Sequence, residues 1–267
     1  MVTLEQLQAG IVVPIDKPRQ WTSFQAVNKV KAVVRNTYGL KKFKIGHAGT
    51  LDPLASGLLL VCLGKATKTI PLLQDGDKVY TGTLVLGATT PCYDLERPVD
   101  HYYPYEHITE VALREAAARF VGVIDQVPPM FSAVKIDGQR AYEYARADDP
   151  SVTIQPKKVH VYGFEISAFR PGGAKPADFA ENTATAAPLS AAARHLYDNP
   201  LGQVPPHLPQ ADFRIHCGKG TYIRSLARDL GLALGSGAFL SALRREQVGQ
   251  YSLAQALTLD QVENFFH

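Results

Sequence analysis

Fourteen residues, Lys44-Ile45-Gly46-His47-Ala48-Gly49-Thr50-Leu51-Asp52-Pro53-Leu54-Ala55-Ser56-Gly57, hold three glycines, a proline, a histidine and one carboxylate. They lead directly into the apolar run Leu58-Leu59-Leu60-Val61-Cys62-Leu63, closed by Gly64-Lys65. A run this short and this apolar is a buried strand or a buried helix segment, so the stretch before it is a shaped loop tied to a core. Rigidly held loops are where reactive groups sit, and Asp52 is the only acid between Asp16 and Asp75. Spacing alone leaves two readings of Asp52-Pro53 open: a reactive carboxylate, or ordinary turn chemistry beside a satisfied surface histidine, His47.

The chain has 267 residues, 46% hydrophobic and 20% charged, enough for one large mixed domain or two smaller ones. A net charge of only +3 means that an anionic partner must be met by a local basic surface and not by a global field. Lys41, Lys42 and Lys44 before the loop, with Lys65 and Lys68 after its apolar run, form such a cluster. Cys62, Cys92 and Cys217 make no Cys-x-x-Cys pair, and the eight histidines form no ligand pattern. No metal, no cofactor, no disulfide framework and no membrane span are expected, and the composition fits a reduced, cytoplasmic protein.

Gly10 to Ser23 reads as a short strand running into a turn at Asp16-Lys17-Pro18, with Thr22 or Ser23 capping a helix. That helix carries Phe24, Val27, Val30, Val33 and Val34 at helical spacing. Asp77 to Gly87 is a strand, and Thr109 to Gly122 a helix capped by Thr109. Val127 to Arg146 is a proline-rich entry, a short strand, a turn at Asp137-Gly138 and a helical end. Val159 to Phe169 and Asp212 to Cys217 alternate as strands, the second leading through Gly218-Lys219-Gly220-Thr221 into a helix with the stripe Ile223, Leu226, Leu230 and Leu234. Lys219, Thr221, Tyr222 and Arg224 thus sit at a strand-to-helix junction, a place that favours an anion. Residues 171–210, rich in Ala, Pro and Gly, read as an insertion of unassigned role with a short helix at Leu189 to Tyr197.

Gly-His-Ala-Gly-Thr-Leu-Asp-Pro-Leu-Ala-Ser-Gly-Leu-Leu resembles the signature loop GHTGTLDPLATGVL of the tRNA pseudouridine synthase B (TruB) family, departing at Ala48 and Ser56. Asp16-Lys17-Pro18 with Trp21-Thr22-Ser23 is similar to its DKPxGxTS motif, with Gln20 where Gly is usual, and reads as an element bracing the catalytic loop. The stretch from Val127 to Arg146 resembles QxPPxxSAxKxxGxRxYExAR, and Gly218 to Gly231 the block CxxGTYIRxLxxDLG. Leu243-Arg244-Arg245 with Gly249 resembles the closing LRRxxxG. The segment Ala88 to Tyr93 departs from the family, with Pro91 where a second Asp is usual.

The resemblance implies an α+β pseudouridine synthase core: a mixed, mostly antiparallel sheet with flanking helices and a central cleft, formed by residues 1–170 and 211–267. A C-terminal PUA-type RNA-binding domain is expected to be absent or vestigial. Asp52 corresponds to the family's nucleophile, with His47, Tyr80, Tyr222, Arg224 and Leu243 as substrate-binding positions and Asp94 as an acid near Arg224. The implied activity is isomerisation of uridine to pseudouridine in the T-loop of tRNA, position 55, by a monomer without an obligate protein partner. In that reaction no electrons leave and no group is added. It needs a carboxylate kept ionised, which an adjacent arginine favours, attacking either the base or the sugar. It also needs a nucleotide turned out of its stack, which Tyr80 would meet by stacking and His47 by filling the vacated space or contacting phosphate. Two other readings stand beside it: an RNA-gripping module without chemistry, and a carboxylate-dependent hydrolase, for which no second acid is evident.

Overall fold

The computed structural model describes residues 2–132, 134–136, 138–146, 153–175 and 202–267. The protein is α+β, and its contacts divide it into two units, residues 1–81 with 243–267 and residues 82–242.

In the first unit α1 (Leu4–Ala9) leads into β1 (Ile11–Lys17), then α2 (Ser23–Tyr38), β2 (Ile45–Ala48) and β3 (Ser56–Leu63). A 3₁₀ turn at Gly64–Thr69 and α3 (Ile70–Asp75) precede β4 (Lys78–Leu86). The apolar run resolves as a strand, and Leu58 to Leu63 are all fully buried, as a strand flanked on both edges and covered on both faces is. β1 lies antiparallel along one edge of β3, with Ile11 opposite Leu63 and Lys17 opposite Gly57. On the other edge β2 pairs antiparallel with Leu60 to Leu63.

The helix α2 starts one residue earlier than the apolar spacing suggests. Thr22 closes a reciprocal cap with Gln25, and Gly39, in the left-handed region at φ 63°, ends it. Its buried face is Ser23, Ala26, Val27, Val30, Val33 and Val34. Phe24, expected on that stripe, is 70% exposed, because Ser23 takes the inward position one hundred degrees away.

The chain passes from the first unit to the second within β4, between Thr81 and Gly82. The second unit contains the small ladder β5 (Ala88–Thr89) and β6 (His101–Tyr102), then α4 (Glu110–Ala118) and β7 (Gly122–Gln126). The expected helix from Thr109 therefore stops at Ala118, and Gly122, at φ 114°, opens the next strand. The hairpin β8 (Lys135–Ile136) and β9 (Gln139–Arg140) runs into α5 (Ala141–Arg146). The long β10 (Lys157–Arg170), β11 (Gln210–Cys217), α6 (Ile223–Ala233) and the start of β12 (Ala238–Val248) complete it. Its strands run in the order β12, β4, β11, β10, β7, and β10 is antiparallel to both β11 and β7. The proposed helix at Leu189 to Tyr197, and most of the segment 171–210, lie outside the described residues.

The chain returns to the first unit within β12, where Arg244 and Arg245 pair in parallel with Ser56 and Gly57. β13 (Tyr251–Ser252) folds back on β12, and α7 (Gln261–Phe266) packs on α2 through an edge-on contact between Phe266 and Tyr38 at 6.3 Å.

Candidate active site

Asp52 sits on the seven-residue connection between β2 and β3, so the ladder that buries the apolar run also sets the two feet of the loop. The Asp52 carbonyl accepts the Ala55 N–H at 3.1 Å, closing a turn with Asp first and Pro second, the order such turns favour. Turn chemistry and a candidate reactive group therefore coexist in one residue: the backbone makes the turn and the side chain is half-buried.

Three separate elements grip this loop. The Ser23 hydroxyl, 3% exposed, donates to the Leu51 carbonyl at 3.1 Å and accepts the Leu51 N–H at 2.9 Å. On the other side of Asp52, the Gln20 N–H donates to the Pro53 carbonyl at 2.8 Å. Gln20 holds φ 70°, so the turn keeps the left-handed shape although a side chain stands where glycine is usual. The third grip is Arg245, 1% exposed, whose Nε donates to the Leu58 carbonyl at 2.8 Å and Nη2 to the Gly49 carbonyl at 3.0 Å. At Gly57, φ 101°, a Cβ would lie 2.4 Å from the Arg245 carbonyl, so only glycine lets β12 pass. The bracing role expected of the Asp-Lys-Pro and Thr-Ser elements thus has concrete bonds.

Lys17 is fully buried beneath the same loop, its ammonium donating to the carbonyls of Trp21 at 2.6 Å and Pro18 at 3.0 Å. Burial lowers its pKa to about 8; Asp52 and Asp16 act against that shift, while Arg245 adds to it. His47, half-buried on β2, has its pKa lowered by burial and then by the positive charge of Arg245, which favours a neutral imidazole. Tyr80 lies on β4 at 9% exposure and Leu243 is half-buried on β12. Beside Leu243, Arg244 donates to Asp16 at 2.7 Å and to Ser56 at 3.3 Å. His47, Asp52, Tyr80 and Leu243 all belong to the first unit.

Lys42, Lys44, Lys65 and Lys68 line one cavity of about 380 Å³ with Leu40 and Phe43. It lies at the end of the β2–β3 ladder away from Asp52, where the Gly64 N–H donates to the Lys44 carbonyl. With about 3.4 Å per strand residue, the cations stand on the order of 15 Å along the ladder from the loop.

Tyr222 and Arg224 belong to the second unit. Tyr222 is the cap residue of α6, and the amide of Gln126, at the end of β7, brackets it: Oε1 accepts the Tyr222 N–H at 2.8 Å and Nε2 donates to the Tyr222 carbonyl at 3.1 Å. The first amide of the junction, expected to attract an anion, is therefore occupied by protein. Arg224 is 5% exposed and donates to the Cys92 carbonyl at 3.1 Å and the Phe131 carbonyl at 2.9 Å. Asp94, also buried, lies 3.8 Å from its Nε, so the departure at Pro91 leaves the acid beside the arginine.

Sequence reasoning overlooked Gln126 and Arg245 as site-building residues. Arg245 carried a signal, being a fixed letter of a motif whose other members were read. Gln126 carried one as well, being the Gln of the QxPP motif, one residue before Val127.

Among the described residues no helix is long and apolar enough to cross a membrane. A family model for the TruB family pseudouridylate synthase N-terminal domain matches residues 35–185, and one for the tRNA pseudouridylate synthase B C-terminal domain matches residues 224–267. The chain is 47% identical over 259 residues to the tRNA pseudouridine synthase B of Flavobacterium johnsoniae, covering 97% of this chain and 96% of that protein. It is 42% identical over 251 residues to the protein of the same name from Phocaeicola vulgatus, covering 94% and 91%. Among solved structures it is similar to the Cbf5–Nop10–Gar1 complex, at 26% identity and a TM-score of 0.61, covering 97% of this chain and 55% of that one.

Proposed function

The chain belongs to the TruB family of pseudouridylate synthases, and from that membership we propose that it isomerises uridine to pseudouridine in the T-loop of tRNA, at position 55, with Asp52 as nucleophile. It is an isomerase acting on tRNA. The reaction breaks the bond from the ribose to the base nitrogen, turns the base and rejoins it through carbon, so every atom of the substrate is kept and no electrons are gained or lost.

The observation that carries the assignment is the treatment of Asp52. The residues before and after it, Leu51 and Pro53, are each fixed by a hydrogen bond from a different part of the first motif, while its own side chain is left half-buried. A nucleophile that must meet one atom of a turned-out nucleotide needs such a preorganised backbone. In this reading Arg224 is the guanidinium that keeps the nucleophile ionised, Tyr80 stacks on the extruded base and relays the proton released from its carbon, and His47 fills the space left in the RNA. Tyr222 and Leu243 bound the base. The lysine-lined cavity serves the phosphate backbone of the T-arm, whose charge a pocket of four ammonium groups suits. The enzyme works in the cytoplasm as a monomer without a protein partner, and residues 1–170 and 211–267 form its catalytic body.

The test is to incubate the protein with unmodified tRNA and map pseudouridine. Formation at position 55, abolished by Asp52→Asn while tRNA binding persists, is the expected result. Turnover by Asp52→Asn removes that residue from the nucleophile role, and modification elsewhere in the tRNA removes the assigned position.

A further inference from the structure

The segment from Ala88 to Tyr93 departs from the family pattern, and the geometry around it shows what it accomplishes. Tyr93 is one of two non-glycine residues with positive φ among the described residues, at 60°. L side chains adopt this conformation only at a cost, and such residues persist where the surroundings demand them. The residues on both sides of Tyr93 face one group: the Cys92 carbonyl and the Asp94 carboxylate both meet the Arg224 guanidinium. An extended residue at 93 would direct successive groups to opposite sides of the chain. A left-handed one bends the chain so that the carbonyl before it and the side chain after it converge.

The bend is closed from several directions. The Tyr93 N–H donates to the Thr90 carbonyl at 3.1 Å, and the Thr90 hydroxyl donates to the Asp94 carbonyl at 2.7 Å. The Tyr93 carbonyl accepts the Leu240 N–H at 3.0 Å, and Asp94 Oδ1 accepts the Glu96 N–H at 2.9 Å. The Tyr93 ring is held by Arg228, whose guanidinium lies 5.5 Å from the ring centre. Arg228 is itself anchored on the Val127 carbonyl at 3.1 Å and on Asp229 at 2.7 Å. Arg224 and Arg228 stand one turn apart on α6, so the same helix that carries the site arginine also holds the residue that shapes its acceptors.

We propose that Tyr93, kept left-handed by the clasp of Arg228 on its ring, is a positioning residue for Arg224, turning the Cys92 carbonyl and the Asp94 carboxylate onto one guanidinium. The proposal rests on the assignment of Arg224 to the reaction made above. It accounts for a segment that has lost the usual acid at Pro91 yet keeps Asp94 in place.

The test is a series at position 93, made in the full chain and assayed on a tRNA transcript for kcat, KM and binding. Gly and Asn tolerate left-handed backbone, Ala less so and a β-branched residue least. Tyr93→Gly and Tyr93→Asn should keep kcat within about threefold of the parent, while Tyr93→Val should lose about tenfold or more in kcat at unchanged KM. The proposal is overturned if Tyr93→Val turns over like the parent, if Tyr93→Gly falls as far as Tyr93→Val, or if the loss appears in KM alone. If Tyr93→Val does not fold, the comparison of Tyr93→Ala with Tyr93→Gly decides, equal kcat values overturning the proposal. Arg224→Lys separates the two levels. Full activity in that variant ends the assignment of Arg224, whereas an inactive Arg224→Lys beside a fully active Tyr93→Val ends the role of Tyr93 alone.

Discussion

Ser23 holds Leu51 at both of its backbone polar groups, its hydroxyl donating to the carbonyl at 3.1 Å and accepting the N–H at 2.9 Å. One buried side chain thereby satisfies a residue that no ladder reaches and fixes the residue before Asp52.

Ser23→Ala leaves two buried backbone groups without their partner, at about 1–3 kcal/mol each. The variant should unfold at lower denaturant by that order and lose about tenfold in kcat, with tRNA affinity unchanged. Unchanged turnover in a destabilised variant would show that Asp52 is positioned without this grip.

Arg245→Met removes the donor from the Gly49 and Leu58 carbonyls and a positive charge near His47. Without that charge the imidazole should rise toward 6.5 but stay below it, because burial, the larger cause, remains. Titration of the His47 ring protons by NMR reads this directly, and a value that fails to rise rules out the charge coupling.

Lys17 gives the protein a pH signature. In the folded chain it releases its proton near pH 8, against 10.5 ordinarily, so between those values the unfolded chain binds more protons. Stability attributable to this residue therefore rises from pH 8 to 10.5, and the full burial penalty is present below 8. Denaturant titrations of the parent and Lys17→Met should show the parent gaining on the variant by on the order of 3 kcal/mol across that window. Parallel curves would contradict the shift.

The four lysines of the cavity beyond the β2–β3 ladder should act on binding and not on chemistry. Each replaced by Ala lowers the number of released counterions by about one, so log affinity for tRNA should lose about 0.9 of slope against log salt per lysine. Single-turnover rates at saturating enzyme should stay at the parent value. An unchanged slope would remove this cavity from the RNA surface.

Much of this was legible in the letters. The run Leu58 to Leu63 announced a buried element, the valines of α2 announced its inner face, and Thr22 and Thr109 announced two helix starts, because these features depend on period and on local capping. Phe24 misled for the opposite reason. Its apolar character fits the stripe, but the inward place belongs to Ser23, whose partner, Leu51, lies 28 residues away. The early end of α4 likewise reflects the strand beginning at Gly122, which pairs with β10.

The order of residues by itself determined the family, and with it the kind of chemistry, and singled out the loop that holds Asp52, since a fourteen-residue motif with one acid is specific without any coordinates. Tertiary structure alone decided how that acid is held. Ser23, Gln20 and Arg245 reach the loop from a helix start, a left-handed turn and a distant strand, and Tyr93 bends a divergent segment back onto Arg224. Such bonds join backbone groups far apart in sequence, and a backbone carbonyl looks the same at every position until folding chooses its donor.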